Sequence, residues 1–234
     1  MDKENSKLVK MLKDNRISES EYQMLLTALH KKTFCTRLEN SLLINPFQKI
    51  AGFKALLLGL LILVVLSLIG TYTDIYFDGI LGYMFPVHLK AMKPNFLLLL
   101  YQNCVAWLTL SFLFIITAKL LKLRGIRIID FFGTVAMARF PLLITLVITL
   151  LIKNLDPELY SYDFTKDLEL HLNFLGSLGN SILMLCFVWL LMTNLFAFKE
   201  SSGAEGKKLW YGFICAMALG DMLALIFTRW FLYV

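Results

Sequence analysis

Five long apolar stretches occupy residues 55 to 228 of this 234-residue chain and leave it few ways to fold. Each is close to the roughly 20 residues that an α-helix needs to cross the hydrocarbon core of a bilayer. Unpaired backbone amides are costly in lipid, so helices are the economical structure for such runs. None of the runs shows the alternating pattern of an outer-membrane barrel strand. The prediction is an all-α fold, a polytopic membrane bundle of five transmembrane helices.

The apolar runs also predict where the membrane domain begins and ends. The predicted spans cover residues 55–73, 96–118, 128–152, 172–198 and 209–228. Residues 1–44 form a polar arm before a membrane domain over residues 45–234. The composition agrees, because 58% of the residues are hydrophobic and 17% are charged. A soluble domain is nearer half apolar and a quarter charged.

The distribution of Lys and Arg predicts the orientation of the bundle. Seventeen basic residues lie in the arm and in the segments that share its side, against five in the alternate segments. Cytoplasmic segments carry this excess, so the N-terminus is expected in the cytoplasm and the C-terminus outside. Most basic residues flank apolar runs, so the net charge of +6 indicates anionic lipid and topology, and no nucleic-acid partner is expected.

The polar arm has the pattern of a helical hairpin over residues 6–32. The sequence Ser18-Glu19-Ser20-Glu21 is typical of a capping box, in which Ser18 accepts a hydrogen bond from the amide of Glu21. An apolar stripe follows at helical spacing: Tyr22, Leu25, Leu26 and Leu29. The arm is interpreted as an amphipathic pair on the membrane or on the protein itself, or else as a site for a partner or for self-association.

The segment between the first two spans is unusually aromatic. It contains Tyr72, Tyr76, Phe77, Tyr83 and Phe85. Tyrosine rings often anchor a chain at the headgroup level, and this is the favoured interpretation. The alternative is a re-entrant gate.

No motif of an enzyme or of a metal site is present. The chain lacks a GxSxG elbow, a P-loop, an HExxH helix and a glycine-rich dinucleotide turn. Its four cysteines and three histidines have no ligand spacing. The sequence therefore predicts no catalytic, cofactor-binding or metal-binding residues, no cofactor, and a protein that is not an enzyme.

Two charged residues inside the apolar runs are the candidate site. Arg139 in the third run and Asp221 in the fifth are each roughly 16 to 18 Å along their helices from the cytoplasmic end. A charge near the bilayer centre costs at least about 2.5 kcal/mol and usually faces protein or water. The two residues are therefore predicted as an intramembrane polar pair, which either clamps two helices or forms part of a transport or ligand site. For Arg139 alone, a water-filled crevice or snorkelling is a further alternative.

Other polar residues in or beside the spans have simpler expected roles. Pro141 is predicted to kink the third helix by loosening its ladder at Met137, which frees a carbonyl for Arg139 or water. Asp130 lies near the boundary, where it caps the third helix. Four amide side chains are expected to make hydrogen bonds between helices: Gln102, Asn103, Asn180 and Asn194.

Three segments resemble one family. They are NPF (Asn45–Phe47), GIRIIDFFGTVAMARFPLL (Gly125–Leu143) and LCFVWLLMTNLFAFKESSGAEGKKLWYGF (Leu185–Phe213). Their order and spacing are similar to those of the Yip (Ypt/Rab-interacting protein) family of membrane proteins, bacterial type. The resemblance implies a five-helix bundle, a cytoplasmic N-terminus and a non-enzymatic role, and it carries no set of binding residues.

Two functions from different classes follow. The first is a scaffold or adaptor of the Yip type, which acts through a membrane or cytoplasmic protein partner or as a homo-oligomer in the lipid bilayer. Eukaryotic Yip proteins act with small GTPases, but this chain lacks their long Pro/Gly/Gln-rich arm. Its hairpin arm favours the cytoplasmic (inner) membrane of a bacterium. The alternative is a small permease or channel that uses the buried Arg139 and Asp221.

Overall fold

The computed structural model confirms the all-α class for the residues that it describes. These are residues 9–14, 17–27, 41–73, 75–81, 94–123, 126–155 and 174–233, without the side chains of 174–180 and 230–233. They contain helices and turns and no β-strand. Five helical segments are long and apolar enough to cross a membrane. Leu29, Tyr83 and Phe85 lie outside the described residues, as does the side chain of Asn180.

The helices agree with the predicted spans to within a few residues at most ends. They are α1 (Gly52–Thr73), α2 (Phe96–Leu120), α3 (Ile128–Met137), α4 (Phe140–Leu155), α5 (Phe174–Ser202) and α6 (Gly206–Tyr233). A 3-10 turn at Pro46–Gln48 precedes α1. Together α3 and α4 make the third span. We call the side at which α1 begins the near face and the opposite side the far face.

The closest helix contact in the membrane domain joins α1 to α3 through small residues. A Cβ added to Gly59 would collide with the Cβ of Ala136, and one added to Gly133 would lie 2.8 Å from the amide nitrogen of Leu56. Glycine therefore lets the two backbones approach and gain van der Waals contact, which drives helix association in lipid.

Asp130 connects the near-face ends of the same two helices. It lies in the first turn of α3, where a carboxylate is favoured by the helix dipole. Its Oδ1 also accepts a hydrogen bond of 2.9 Å from the amide of Gly52, the first residue of α1. The expected side-chain cap of α3 is not formed, since the N-cap of that helix is Arg127 and it makes no side-chain cap hydrogen bond, and Asp130 binds the start of another helix.

The third span is interrupted as Pro141 predicted. Helix α3 ends at Met137, and α4 begins at Phe140. Proline lacks the amide hydrogen that would continue the ladder across this point. At the break the carbonyl of Ala138 accepts a 3.0 Å hydrogen bond from the Thr193 hydroxyl of α5. A side chain of a neighbouring helix therefore supports the interrupted backbone.

Two clusters of apolar side chains fill the bundle. One contains the aromatic rings of Phe114, Phe131, Phe198 and Phe213, with the centroids of Phe114 and Phe198 4.8 Å apart. The other contains Leu66, Ile75, Phe77, Leu99, Leu142, Leu146 and Leu190. Helix α6 packs chiefly against α2, whereas α3 packs against α1, α2 and α5. This arrangement decides which polar side chains can meet.

The polar arm belongs to a separate compact unit, Met1–Pro46, while Phe47–Val234 forms the other. Residues 9–13 and 19–27 of the arm are helical. The predicted capping box is confirmed, because the Ser18 amide donates to Glu21 Oε2 at 2.8 Å and the Glu21 amide donates to Ser18 Oγ at 3.3 Å. The hydrogen bond from the Ser18 amide, and then that from its hydroxyl, hold the pKa of Glu21 below its usual value.

Candidate functional site

A non-helical segment, residues 75–81, is buried within the membrane domain directly after α1. Tyr76 is 2% exposed and Phe77 is 1% exposed, while Tyr72 at the end of α1 is 71% exposed. The expectation that these aromatic residues anchor the segment at the headgroup level is therefore wrong for Tyr76 and Phe77. They lie inside the protein because the segment 75–81 is bound to α2 and α6.

The inserted segment reaches the middle of the bundle. Ile80 is 2% exposed, and its Cδ1 would lie 2.8 Å from a Cβ added to Gly220. Gly220 follows the start of α6 by 14 residues, which places it about 21 Å along that helix. Irregular backbone at such a depth is tolerated only where protein or a water-filled cavity covers it. Helices α2 and α6 provide this cover.

Two polar side chains accept hydrogen bonds from amides of the inserted segment. Gln102 Oε1 of α2 accepts a 3.0 Å hydrogen bond from the Phe77 amide. Asp221 Oδ1 of α6 accepts from the amides of Ile80 and Leu81, both at 2.8 Å. Amide groups without a partner in such surroundings cost several kcal/mol each, so these two residues make the insertion stable.

Gly79 forms the turn that brings the amides of Ile80 and Leu81 to one carboxylate oxygen. Its φ is +77°, in the left-handed region that residues with a side chain rarely adopt. A Cβ added to Gly79 would lie 2.8 Å from Asp221 Oδ1 and 3.0 Å from Leu225 Cγ. Only glycine fits this conformation and this distance from the carboxylate.

A second carboxylate in the segment, Asp78, binds the far-face end of α6. Its Oδ2 accepts from Arg229 Nε at 3.0 Å and Nη2 at 2.8 Å, and its Oδ1 accepts from the Thr228 hydroxyl at 3.2 Å. The Arg229 side chain is about half exposed, so solvent weakens this ion pair. The contact fixes the position of the segment more than it adds stability.

Arg139 lies at the break between α3 and α4 and is only 4% exposed. Its Nη2 donates a 3.0 Å hydrogen bond to Asn103 Oδ1 of α2. The amide nitrogen of Asn103 donates in turn to Ser67 Oγ at 3.2 Å and to the Leu99 carbonyl at 3.0 Å. These two bonds orient the Asn103 carbonyl toward the guanidinium. The guanidinium is thus bound to a neutral acceptor.

The structure gives Arg139 and Asp221 different partners, so the predicted direct pair is not formed. Among the described residues, the ion pair within 4.0 Å is Arg229–Asp78, and it does not involve Arg139. Similar depth suggested the pair, but depth does not tell which helices are neighbours. Because α6 packs mainly against α2, Asp221 faces the inserted segment instead of the third span.

The remaining amide side chains only partly follow the expectation of bonds between helices. Asn103 makes such bonds to α1 and to Arg139, whereas Asn194 donates to the Leu190 carbonyl of its own helix. Gln102 binds a loop amide, which periodicity gave no reason to expect. The adjacent Gln102-Asn103 pair within an apolar run was the signal that this part of α2 meets polar groups on two sides.

Comparison of the chain with protein families, with curated proteins and with solved structures gives no match. Within the described ranges, no three His, Cys, Asp or Glu side chains are close enough to hold a metal ion. The carboxylates of Asp78, Asp130 and Asp221 all bind groups of the protein. Arg139 is the buried charge that they leave without a counter-charge.

Proposed function

We propose that this chain is a non-enzymatic multi-pass protein of a bacterial cytoplasmic membrane, with a scaffold or adaptor role of the Yip type. The observation that carries this proposal is the use of the carboxylates of Asp78, Asp130 and Asp221, of which the first is buried and the other two are partly buried. Each binds an amide, a hydroxyl or a cation of the protein, as expected of a rigid frame. The order and spacing of the Yip-like segments also support it.

The proposed orientation has the N-terminus in the cytoplasm and the C-terminus outside. It is supported by the seventeen basic residues in the arm and in the sequence segments predicted to share its side, against five in the alternate segments. A cysteine-labelling experiment tests it. A cysteine placed at Lys13, on a background without the native cysteines, should be protected from an impermeant maleimide in intact cells and labelled after lysis. Labelling in intact cells refutes the orientation.

The arm provides the surface for a partner. Met24 is 69% exposed on the helical segment 19–27, beside the exposed Leu25. Exposed apolar side chains on a short polar arm are typical of contacts with another protein or with a second copy of the chain. Such contacts would let the bundle hold a cytoplasmic protein at the membrane.

Photo-crosslinking in native membranes tests the adaptor role. A photo-reactive amino acid at Met24 should give an adduct of defined mass, and the same group at the exposed Lys13 is the matched control. An adduct of twice the mass of the chain indicates a homo-oligomer, and another defined mass indicates a different partner. If position 24 gives no protein adduct beyond that of position 13, the adaptor role is refuted.

A second candidate function, a small permease or channel, is favoured by Arg139. A buried charge without a counter-charge in a membrane bundle commonly marks an ion or substrate pathway. Purified protein in liposomes tests this with anion flux. Flux that is lost in Arg139→Met and kept in Arg127→Met, which removes an exposed arginine, supports the permease. The absence of flux from the unsubstituted protein refutes it.

A further inference from the structure

The guanidinium of Arg139 has a hydrogen-bond donor that no described group accepts. Its Nε is fully buried and has no partner, while Nη2 is bound to Asn103. No carboxylate oxygen of the described residues lies within 4.0 Å of the Arg139 guanidinium. The ion pair within that distance joins Asp78 to Arg229. The positive charge is therefore enclosed by the bundle but not neutralised by it.

The depth of Arg139 in the membrane domain raises the free-energy cost of its charge. Arg139 follows Ile128, the start of the third span, by 11 residues, or about 16 Å of helix. Asn103 offers a neutral carbonyl, which stabilises a buried cation far less than a carboxylate does. The Asn103 amide nitrogen is occupied by Ser67 and Leu99, so its carbonyl is held in place as the acceptor. The bundle thus orients Arg139 without supplying its counter-charge.

Two helix ends meet beside Arg139, the C-terminal end of α3 and the N-terminal end of α4. Helix α4 has 16 residues and begins at Phe140, immediately after Arg139. The first amides of a helix carry a partial positive charge that favours anions. An interrupted helix inside a membrane often presents such an end to an anionic group. At this break Pro141 has no amide hydrogen, the Leu142 amide donates to the Arg139 carbonyl, and the end of α3 carries the opposite partial charge. The unpartnered Nε of Arg139 is therefore the group that favours an anion.

We propose that Arg139 binds a small monovalent anion inside the bundle. One negative charge balances one guanidinium, and a chloride or a formate accepts the hydrogen bond that Nε offers. A lipid headgroup is excluded as the source, because it stays at the membrane surface about 16 Å away along the helix. Anion binding is compatible with both proposed functions, because a scaffold could retain the anion and a permease could transport it.

Thermal unfolding of the full-length protein in detergent tests the proposal. The anion is varied from gluconate, which is large, to chloride or formate at constant ionic strength, and tryptophan fluorescence reports Tm. A ligand that binds the folded state raises Tm, and above its Kd the stabilisation grows with the logarithm of its concentration. The unsubstituted protein and Arg127→Met should show this rise. Arg139→Met should lose it, or require an anion concentration about tenfold or more higher, because a charged hydrogen bond is removed.

Asn103→Asp provides a second, independent variant. It places a carboxylate where the Asn103 carbonyl now meets Arg139, so the protein supplies its own counter-charge. This variant should show no rise in Tm with chloride, whatever its Tm in gluconate, because its second carboxylate oxygen also replaces the amide that donates to Ser67 and Leu99. An unsubstituted protein whose Tm does not rise with chloride or formate, or a full rise in Arg139→Met, overturns the proposal. If Arg139→Met does not fold, a full rise in Asn103→Asp overturns it equally. The crosslinks from Met24 do not depend on these results.

Discussion

Replacement of Asp221 by alanine should release the inserted segment from α6. The substitution removes the acceptor of two amides, those of Ile80 and Leu81. A hydrogen bond to a charged group contributes about 1.5–3 kcal/mol, and two bonds to one oxygen are not fully additive, so we expect a loss of about 2–5 kcal/mol. Hydrogen bonds between membrane helices average only about 0.6 kcal/mol. A loss of about 2–5 kcal/mol would therefore indicate that the two amides are left desolvated without a partner.

Asp221→Asn is the graded form of the same perturbation. An asparagine keeps an oxygen acceptor of the same shape but loses the charge. Because charged hydrogen bonds are roughly twice as strong as neutral ones, about half of the stabilisation should remain. The expected order of stability is therefore the native protein, then Asp221→Asn, then Asp221→Ala.

Two measurements on the full-length protein in mixed micelles check this prediction. Equilibrium unfolding gives the free energy of each variant, and hydrogen exchange followed by mass spectrometry gives the protection of residues 75–81. Met222→Ala, on the exposed side of the same helix, is the matched control and should change neither. If Asp221→Ala costs no more than the control, or leaves the exchange of 75–81 unchanged, the role given to this carboxylate is refuted.

Three further predictions concern other parts of the chain. Gly59→Leu should separate α1 from α3, because a side chain there collides with Ala136, and overpacking of this kind costs about 1–3 kcal/mol in the free energy of unfolding. Thr193→Val should cost about 1 kcal/mol, because the carbonyl of Ala138 at the helix break loses its donor. The capping box should stabilise the arm helix above the unfolded-state pKa of Glu21 and lose this effect as the pH falls through the lowered folded-state pKa, which amide protection of residues 19–27 measures.

Each of these predictions has its own control. Leu61→Ala changes an exposed residue of α1 and should leave the free energy of unfolding unchanged. Thr193→Ser keeps the hydroxyl, so it should retain most of the stability that valine loses. Glu21→Gln removes the titrating group, and protection in that variant should no longer depend on pH in the acidic range. An unchanged acid response in Glu21→Gln, or equal losses in the two Thr193 variants, contradicts the respective assignment.

The sequence was sufficient for the features that depend on local chemistry. The helices α2 and α3 begin at the residues expected from their apolar runs, 96 and 128, because hydropathy and helix length decide where a chain crosses a membrane. Pro141 was sufficient to predict the break in the third span, because proline lacks an amide hydrogen in any context. The capping box was likewise contained within four consecutive residues.

The partners of the buried charges required the tertiary structure. Helical rise gave similar depths for Arg139 and Asp221, but which helices adjoin depends on packing over the whole bundle. The packing puts Asp221 against the amides of a folded-back segment and Arg139 against Asn103.

The location of the segment 75–81 also required the tertiary structure. Aromatic side chains suit both a headgroup layer and a protein interior, so composition alone favoured the surface. The turn at Gly79 and the hydrogen-bond acceptors on α2 and α6 hold the segment in the interior of the protein. Spans, break and cap follow from the sequence because they depend on neighbours along the chain. The inserted segment and the isolated charge of Arg139 depend on neighbours in space, which only the packed bundle brings together.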